Sequence, residues 1–182
     1  GRTNYAVDPY AKAVSINGTK AAIIDLNKTN PSGFDAADGP RVQNATDAVV
    51  YEVHVRDFSS QENNGFNEAY RGKYLAFTQK GLKTKQSNAI GIDHLKELGI
   101  THVQLQPIYD YATVDEVKLD SYNWGYDPQN YNVPEGSYAT NPSDPSCRIE
   151  EAKTMIKALH DEGIGVIMDV VYNHTFDIEN NP

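Results

Sequence analysis

The fold of this chain is decided by the stretch Ile92-Asp93-His94-Leu95-Lys96-Glu97-Leu98-Gly99-Ile100-Thr101-His102-Val103-Gln104-Leu105. An amphipathic segment ends at Gly99, and an apolar segment follows it directly. The same order returns later, where Gly163 separates a helical pattern from the apolar run 164–171. That helical pattern has apolar residues at i, i+3, i+4 and i+7, namely Ala152, Met155, Ile156 and Leu159. A helix, a glycine and then a strand, found twice, predict a parallel βαβ arrangement.

Residues 49–56 add a third predicted strand, because they are rich in β-branched and aromatic side chains and are bounded by polar turns. The run 164–171 is apolar at nearly every position, which is typical of a parallel strand covered on both faces by helices. This periodicity fits a closed α/β barrel and an open doubly wound sheet equally well. The pattern alone therefore predicts the α/β class and leaves those two architectures open.

The first part of the chain has a different character. Residues 1–26 combine turn signals, such as Asn17-Gly18, with short apolar pieces, and they predict a hairpin and an extended segment at 22–26. Residues 27–47 are rich in Pro, Gly, Asn and Asp, which predicts a linker lying along the surface of the next domain. Residues 61–88 read as a long loop with a short helix around 74–78, and long loops within compact domains are often functional.

Composition excludes several kinds of partner. The 182 residues carry a formal net charge of −9 and no Lys/Arg cluster, whereas nucleic acids and anionic membranes attract concentrated positive charge. No apolar run approaches the roughly 20 residues of a membrane span. The single cysteine, Cys147, excludes an internal disulfide. We expect no nucleic acid and no membrane as partner, while secreted and cytoplasmic locations both stay open.

One short run concentrates aromatic and amide side chains: Tyr122-Asn123-Trp124-Gly125-Tyr126-Asp127-Pro128, with polar and aromatic residues continuing to Tyr138. Three rings within five residues cannot all be buried by one short segment. Aromatic faces pack well on the C–H faces of sugars, and neighbouring Asn and Asp groups can bind sugar hydroxyls. This run predicts a carbohydrate site.

The run resembles the signature of the type I pullulanases, debranching enzymes of the α-amylase superfamily. The later segment 168–174, which ends in Asn173-His174, is similar to the superfamily motif Asp-Val-Val-x-Asn-His. The resemblance implies that residues 48–182 form the first three β/α units of a (β/α)8 TIM barrel, a fold of about 250 residues or more. It also implies that residues 1–26 are the tail of a β-sandwich starch-binding-like module and that residues 27–47 are the linker.

The same resemblance assigns substrate-binding roles to five residues at the carboxyl ends of strands. His174 would bind the glucosyl unit at the scissile bond, and Tyr126 would stack beneath that ring. Asp127 and Trp124 would flank the site, and Asp169 would lie at its floor. The alternative is that His174 is an ordinary loop histidine and that Tyr126 and Trp124 seal the barrel against a loop.

No cofactor is expected, although calcium is left open. Asn173 corresponds to a calcium ligand of many α-amylases, but a structural role for it is favoured. Glu52, Arg56 and Asp57 resemble a strand-one pattern that is mostly scaffold.

The resemblance implies a retaining hydrolase that cleaves α-1,6-glucosidic branch links in pullulan, amylopectin or limit dextrins. Retention needs two carboxylates about 5–5.5 Å apart. In this superfamily those groups follow later strands, so no catalytic residue is assigned in this chain, and we expect the 182 residues alone to be inactive. The expected partners are an α-glucan and the remaining part of the barrel. An isoamylase, a branching enzyme and a non-catalytic glucan-binding protein remain as alternatives.

Overall fold

The computed structural model describes residues 5–35, 39–118 and 120–179. Three strands form a parallel sheet, and two further strands form an antiparallel pair. The elements are β1 (Val50–Val53), α1 (Ile92–Glu97), β2 (His102–Leu105), β3 (Tyr109–Tyr111), β4 (Pro128–Pro134), α2 (Cys147–Asp161) and β5 (Gly165–Met168). The three predicted parallel strands and both predicted helices are therefore confirmed. The antiparallel pair was not predicted.

Both helices pass into their strands through a glycine, as predicted. Gly99 has φ 69° and Gly163 has φ 77°, values that L side chains rarely adopt. In register, Val53 of β1 faces Leu105 of β2, which in turn faces Met168 of β5. The three strands consequently end together, and the residues that follow them share one edge of the sheet.

The predicted apolar face of α2 forms much of the core. Met155 and Leu159 are fully buried, Ala152 is nearly so, and Ile156 packs against the same cluster from a partly buried position. Val103 and Leu105 of β2 complete the contact from the sheet. Removing a buried Met side chain typically costs about 2–5 kcal/mol, so this face contributes a large share of the stability of the domain.

The prediction that 164–171 is covered on both faces is wrong for the described residues. Strand β5 spans only four residues, and Ile167, Met168 and Val170 are 37–48% exposed. The strand predicted at 49–56 is likewise shorter, and its residue Val50 is 46% exposed. The physical reason is that side chains project from the two faces of a sheet, and the described residues do not cover these positions with a second layer.

The predicted strands of the first segment do not form in the described part of it, residues 5–26. Asn17 and Gly18 reverse the chain, but within a short 3-10 helix (Ile16–Gly18), and the flanking residues share a single bridge between Val14 and Ala21. Ile23, in the extended piece predicted at 22–26, is fully exposed and belongs to no strand. The assignment of residues 1–26 to a β-sandwich module stays a prediction, and residues 1–4 lie outside the described residues.

The predicted linker lies against α2. The Lys153 Nζ donates to Thr29 Oγ1 at 2.7 Å and to Asn30 Oδ1 at 2.6 Å. Residues 36–38 of this segment lie outside the described residues. The short helix predicted near 74–78 is confirmed as a 3-10 helix (Tyr74–Thr78). Across the described ranges, no helix combines the length and apolar character that crossing a membrane requires.

Candidate functional site

The residues that follow the parallel strands meet the run 122–127, which we call the aromatic segment. Asp169 comes directly after β5, and its Oδ2 accepts hydrogen bonds from the Tyr126 hydroxyl at 3.0 Å and the Gln104 amide at 3.2 Å. These bonds supply the partner that a carboxylate at the end of an apolar strand requires. Burial and the bond to Asp169 raise the pKa of Tyr126 to about 12, so the hydroxyl remains a donor at neutral pH.

Tyr126 is held at its main chain as well. The exposed His174 places Nε2 2.7 Å from the Tyr126 carbonyl oxygen, and because a carbonyl only accepts, Nε2 carries the proton. This bond leaves Nδ1 as the ring nitrogen that could face a ligand. The Tyr131 hydroxyl donates to the His174 carbonyl at 2.5 Å and fixes the loop in turn. The structure therefore brings Tyr126, Asp169 and His174 together, while their substrate-binding roles stay predictions.

Asn123 organises the interior of the aromatic segment. Its Nδ2 lies 2.8 Å from Asp127 Oδ1 and 2.8 Å from Thr113 Oγ1, and its Oδ1 accepts the Gly125 N–H at 2.8 Å. Burial raises the pKa of Asp127, while the hydrogen bonds from Asn123 and Thr113 oppose that rise. Gly125 has φ 90°, and a Cβ there would lie 2.8 Å from the Pro107 carbonyl oxygen, so only glycine fits.

Trp124 occupies a different position from the other predicted residues. It is 61% exposed and lines a cleft of about 700 Å³ together with Tyr122 and Glu52, and that cleft has neither Tyr126 nor His174 in its wall. Tyr122 donates its hydroxyl to Asp57 at 2.9 Å. The described wall of this cleft contains none of the other four predicted site residues, and the flanking role of Trp124 stays a prediction.

A buried ionic cluster beside the site was missed from the sequence. Arg148 of α2 donates to Asp110 of β3 at 3.1 Å and to Glu116 at 2.7 Å, and all three side chains are at most 3% exposed. Glu135, which follows β4, is equally buried, and its oxygens accept the N–H groups of Tyr111 and Ser137. Pairing of β3 with β4 brings these distant positions together, so no local sequence pattern could have revealed them.

The cluster places three acidic side chains around Arg148. Burial raises the pKa of Asp110 to about 7, although Asn130 and Arg148 oppose the rise, and burial together with the Asp110 charge raises the pKa of Glu135. Burial opposes the charge on Arg148, but its carboxylate neighbours more than offset this and raise its pKa. At neutral pH the cluster therefore retains the guanidinium and holds protons that exposed carboxylates would release.

These residues do not fit calcium. The carboxylates of Asp110, Glu116 and Glu135 approach within 4.8 Å of one another, but calcium takes six to eight oxygen ligands and Arg148 already bridges two of the three groups. Within the described part of the chain, Glu116 Oε1 is the single oxygen of the trio without a hydrogen-bond partner. The group also includes no residue of the loop after β5, so the weak calcium assignment of Asn173 stays a prediction.

Comparisons with known proteins identify the family of the chain. The family model described as alpha amylase, catalytic domain, matches residues 57–180. A pullulanase of Bacillus subtilis (strain 168) is 48% identical over 177 residues, which are 97% of this chain and 24% of that protein. Isoamylase 3, chloroplastic, of Oryza sativa subsp. japonica is 35% identical over 194 residues, with 96% of this chain and 23% of that protein covered. The chain spans about a quarter of the length of these relatives.

Solved structures also include pullulanases similar to this chain. The crystal structure of a pullulanase from Paenibacillus barengoltzii in complex with maltohexaose and alpha-cyclodextrin superposes with a TM-score of 0.91 at 55% sequence identity. The match covers 96% of this chain and 27% of that one. The predicted resemblance to pullulanases is confirmed, and the fold is that of the (β/α)8 barrel; that these residues are its first three units stays a prediction. The family match over residues 57–180 shows that the chain belongs to the alpha-amylase catalytic-domain family.

Proposed function

We propose that the protein carrying this sequence is a retaining glycoside hydrolase that cleaves α-1,6-glucosidic branch links in pullulan, amylopectin or limit dextrins. The observation that carries the proposal is the fixation of Tyr126, whose hydroxyl is bonded to Asp169 and whose carbonyl is bonded to His174. Similarity to pullulanases supports the choice of linkage, since the relative from Bacillus subtilis is 48% identical.

Tyr126 supplies the platform for a glucosyl ring in this proposal. Its hydroxyl and its main-chain carbonyl are both bonded before any ligand arrives, so little conformational entropy is lost on binding. An aromatic face of this kind packs against the C–H face of a sugar. Asp127 and the Nδ1 atom of His174 then provide polar groups for sugar hydroxyls, and Trp124 provides a second, more exposed ring.

The carboxylates of the site position other groups and are not the catalytic pair. Asp169 accepts bonds from Tyr126 and Gln104, and Asp127 accepts bonds from Asn123 and Thr113. A retaining reaction needs one carboxylate free to attack and another free to transfer a proton. We therefore propose that the nucleophile and the acid/base come from a part of the protein outside these 182 residues, and that the 182 residues alone hydrolyse no glucan.

The test is release of maltotriose from pullulan by the protein that carries this sequence, with the 182-residue chain assayed in parallel. Tyr126→Ala should lower kcat/KM about 10- to 100-fold, equivalent to about 1.4–2.8 kcal/mol of binding energy. Tyr10→Ala, at an 81% exposed tyrosine, is the matched control and should leave kcat/KM unchanged. Equal activity of the two variants would contradict the platform role of Tyr126.

Similarity to an isoamylase keeps one alternative open. An isoamylase-type enzyme would debranch amylopectin or glycogen and leave pullulan intact, so assaying both substrates separates the two functions. A non-catalytic glucan-binding protein would bind maltohexaose and release no product from either polymer.

A further inference from the structure

The first residue after β1 is a buried histidine that contacts the aromatic segment. His54 is 5% exposed, and its Nε2 lies 2.9 Å from the Asn123 carbonyl oxygen and 2.9 Å from the Tyr138 hydroxyl. Because the carbonyl can only accept, Nε2 must carry a proton. Burial is the main cause that lowers the pKa of His54, so the neutral ring has a single N–H, and that N–H is directed at Asn123.

The imidazole is fixed between two other rings. Its centroid lies 5.1 Å from that of Tyr122 in a tilted contact and 5.7 Å from that of Tyr138 in an edge contact. Its Nδ1 has no hydrogen-bond partner in the described residues and lies 3.8 Å from Asp57 Oδ1. If the histidine only filled the core, a hydrocarbon ring of the same size would stabilise the protein equally well. Here one nitrogen is left unpaired, while the other forms a specific bond to the main chain of the segment.

Two histidines hold the segment at carbonyls three residues apart. His54 follows β1 and bonds the Asn123 carbonyl, whereas His174 follows β5 and bonds the Tyr126 carbonyl. The side chain of Asn123 in turn holds Asp127 and the Gly125 N–H. The orientation of the Asn123 peptide therefore affects where both the ring of Tyr126 and the carboxylate of Asp127 lie.

We propose that His54 is a positioning residue, which acts through Asn123 to place Tyr126 and Asp127 for an α-glucan. This inference rests on the proposed function, because the α-glucan is the ligand whose binding it predicts. The N–H donor at Nε2, and not the bulk of the ring, is the feature of His54 that places these two residues. Without that donor the Asn123 carbonyl loses its partner, and the start of the aromatic segment is held less firmly.

A matched pair of amide variants isolates that donor. In His54→Gln the side-chain N–H can occupy the place of Nε2, whereas in His54→Asn the same group is one methylene shorter and corresponds to Nδ1. We expect His54→Asn to lower kcat/KM on pullulan and affinity for maltohexaose about tenfold, the factor that corresponds to about 1.4 kcal/mol. His54→Gln should keep both within about threefold of wild type, even though both variants unfold at a lower temperature.

Met155→Ala is the control for loss of stability alone. Met155 is fully buried on α2, and its truncation should lower the unfolding temperature while leaving kcat/KM and maltohexaose affinity unchanged. Equal losses in His54→Gln and His54→Asn would overturn the proposal, as would wild-type values in His54→Asn. If His54→Asn does not fold, the test rests on His54→Gln. A decrease in its maltohexaose affinity greater than about fivefold overturns the proposal, and wild-type affinity supports it.

Calorimetry with maltohexaose separates this inference from the proposed function. If the wild-type protein releases no maltotriose but binds maltohexaose, the hydrolase proposal is wrong and the His54 variants are judged by affinity. If the wild-type protein neither binds nor hydrolyses, both proposals are wrong.

Discussion

Arg148 is the cation that bridges Asp110 and Glu116 in the buried cluster, and its removal should be costly. The guanidinium is 0% exposed and lies 3.1 Å from Asp110 and 2.7 Å from Glu116. Arg148→Met keeps much of the volume and removes the counter-ion that bridges Asp110 and Glu116. Breaking a buried ion pair by removing one partner costs about 3–5 kcal/mol, which for a chain of this size lowers the melting temperature by about 6–20 °C.

The loss of unfolding free energy in Arg148→Met should depend on pH, which distinguishes an effect of charge from an effect of packing. At pH 5.5 Asp110 and Glu135, whose pKa values are raised by burial, hold protons, so less uncompensated charge remains when Arg148 is removed than at high pH. At pH 8.5 those protons are released more readily and the buried negative charge is no longer balanced. We expect the loss of unfolding free energy to reach about 3–5 kcal/mol at pH 8.5 and to be smaller at pH 5.5.

The assay is urea unfolding followed by circular dichroism at both pH values. Lys157→Met is the matched control on the same helix, because the Lys157–Asp161 pair, at 2.8 Å, is partly exposed and such pairs contribute at most about 1 kcal/mol. An Arg148→Met loss below about 1 kcal/mol, or one of equal size at pH 5.5 and pH 8.5, would refute the electrostatic reasoning.

Three further predictions follow from the same contacts. Burial raises the pKa values of Asp110 and Glu135 to about 7 and about 8. Their contribution to wild-type stability is therefore fully present below about pH 4 and is lost as the pH rises through 7 and 8. Urea unfolding from pH 5 to 9 should show this decline in unfolding free energy, and the decline should be smaller in Asp110→Asn. Tyr126→Phe removes the donor to Asp169 and should lower kcat/KM on pullulan about three- to tenfold, whereas an unchanged value would show that the hydroxyl bond does not position the ring. Gly125→Ala introduces a Cβ 2.8 Å from a main-chain oxygen at φ 90° and should destabilise the protein by at least about 1 kcal/mol in thermal unfolding; no change in melting temperature would contradict the steric argument.

The sequence was informative wherever one local pattern fixes one local structure. Helical spacing identified the buried face of α2, and Gly99 and Gly163 identified the ends of both helices. Motif resemblance identified Tyr126, Asp169 and His174, which the structure brings together. Each of these signals is contained within about ten residues of chain.

The sequence failed where the outcome depends on contacts between distant segments. The extended piece predicted at 22–26 has β-forming residues, but no described strand lies beside it, so a strand does not form. The buried cluster joins Asp110 to Arg148, 38 positions away, and His54 joins Asn123, 69 positions away. Neither pairing has a local signature, because each depends on how β1, β3 and α2 are packed.

The acidic cluster also bears on the predicted boundary near residue 26. The Asn17 N–H donates to Glu116 Oε2 at 2.7 Å, and Asn130 donates to the Gly18 carbonyl at 3.1 Å as well as to Asp110. Residues of the predicted module tail therefore share buried hydrogen bonds with the barrel segment. Breaking them would leave polar groups unpaired in the cluster, at a cost of about 1–3 kcal/mol each. The turn at Asn17 and Gly18 is thus bonded to β4 and to the buried cluster, whichever module the sequence of the first segment resembles.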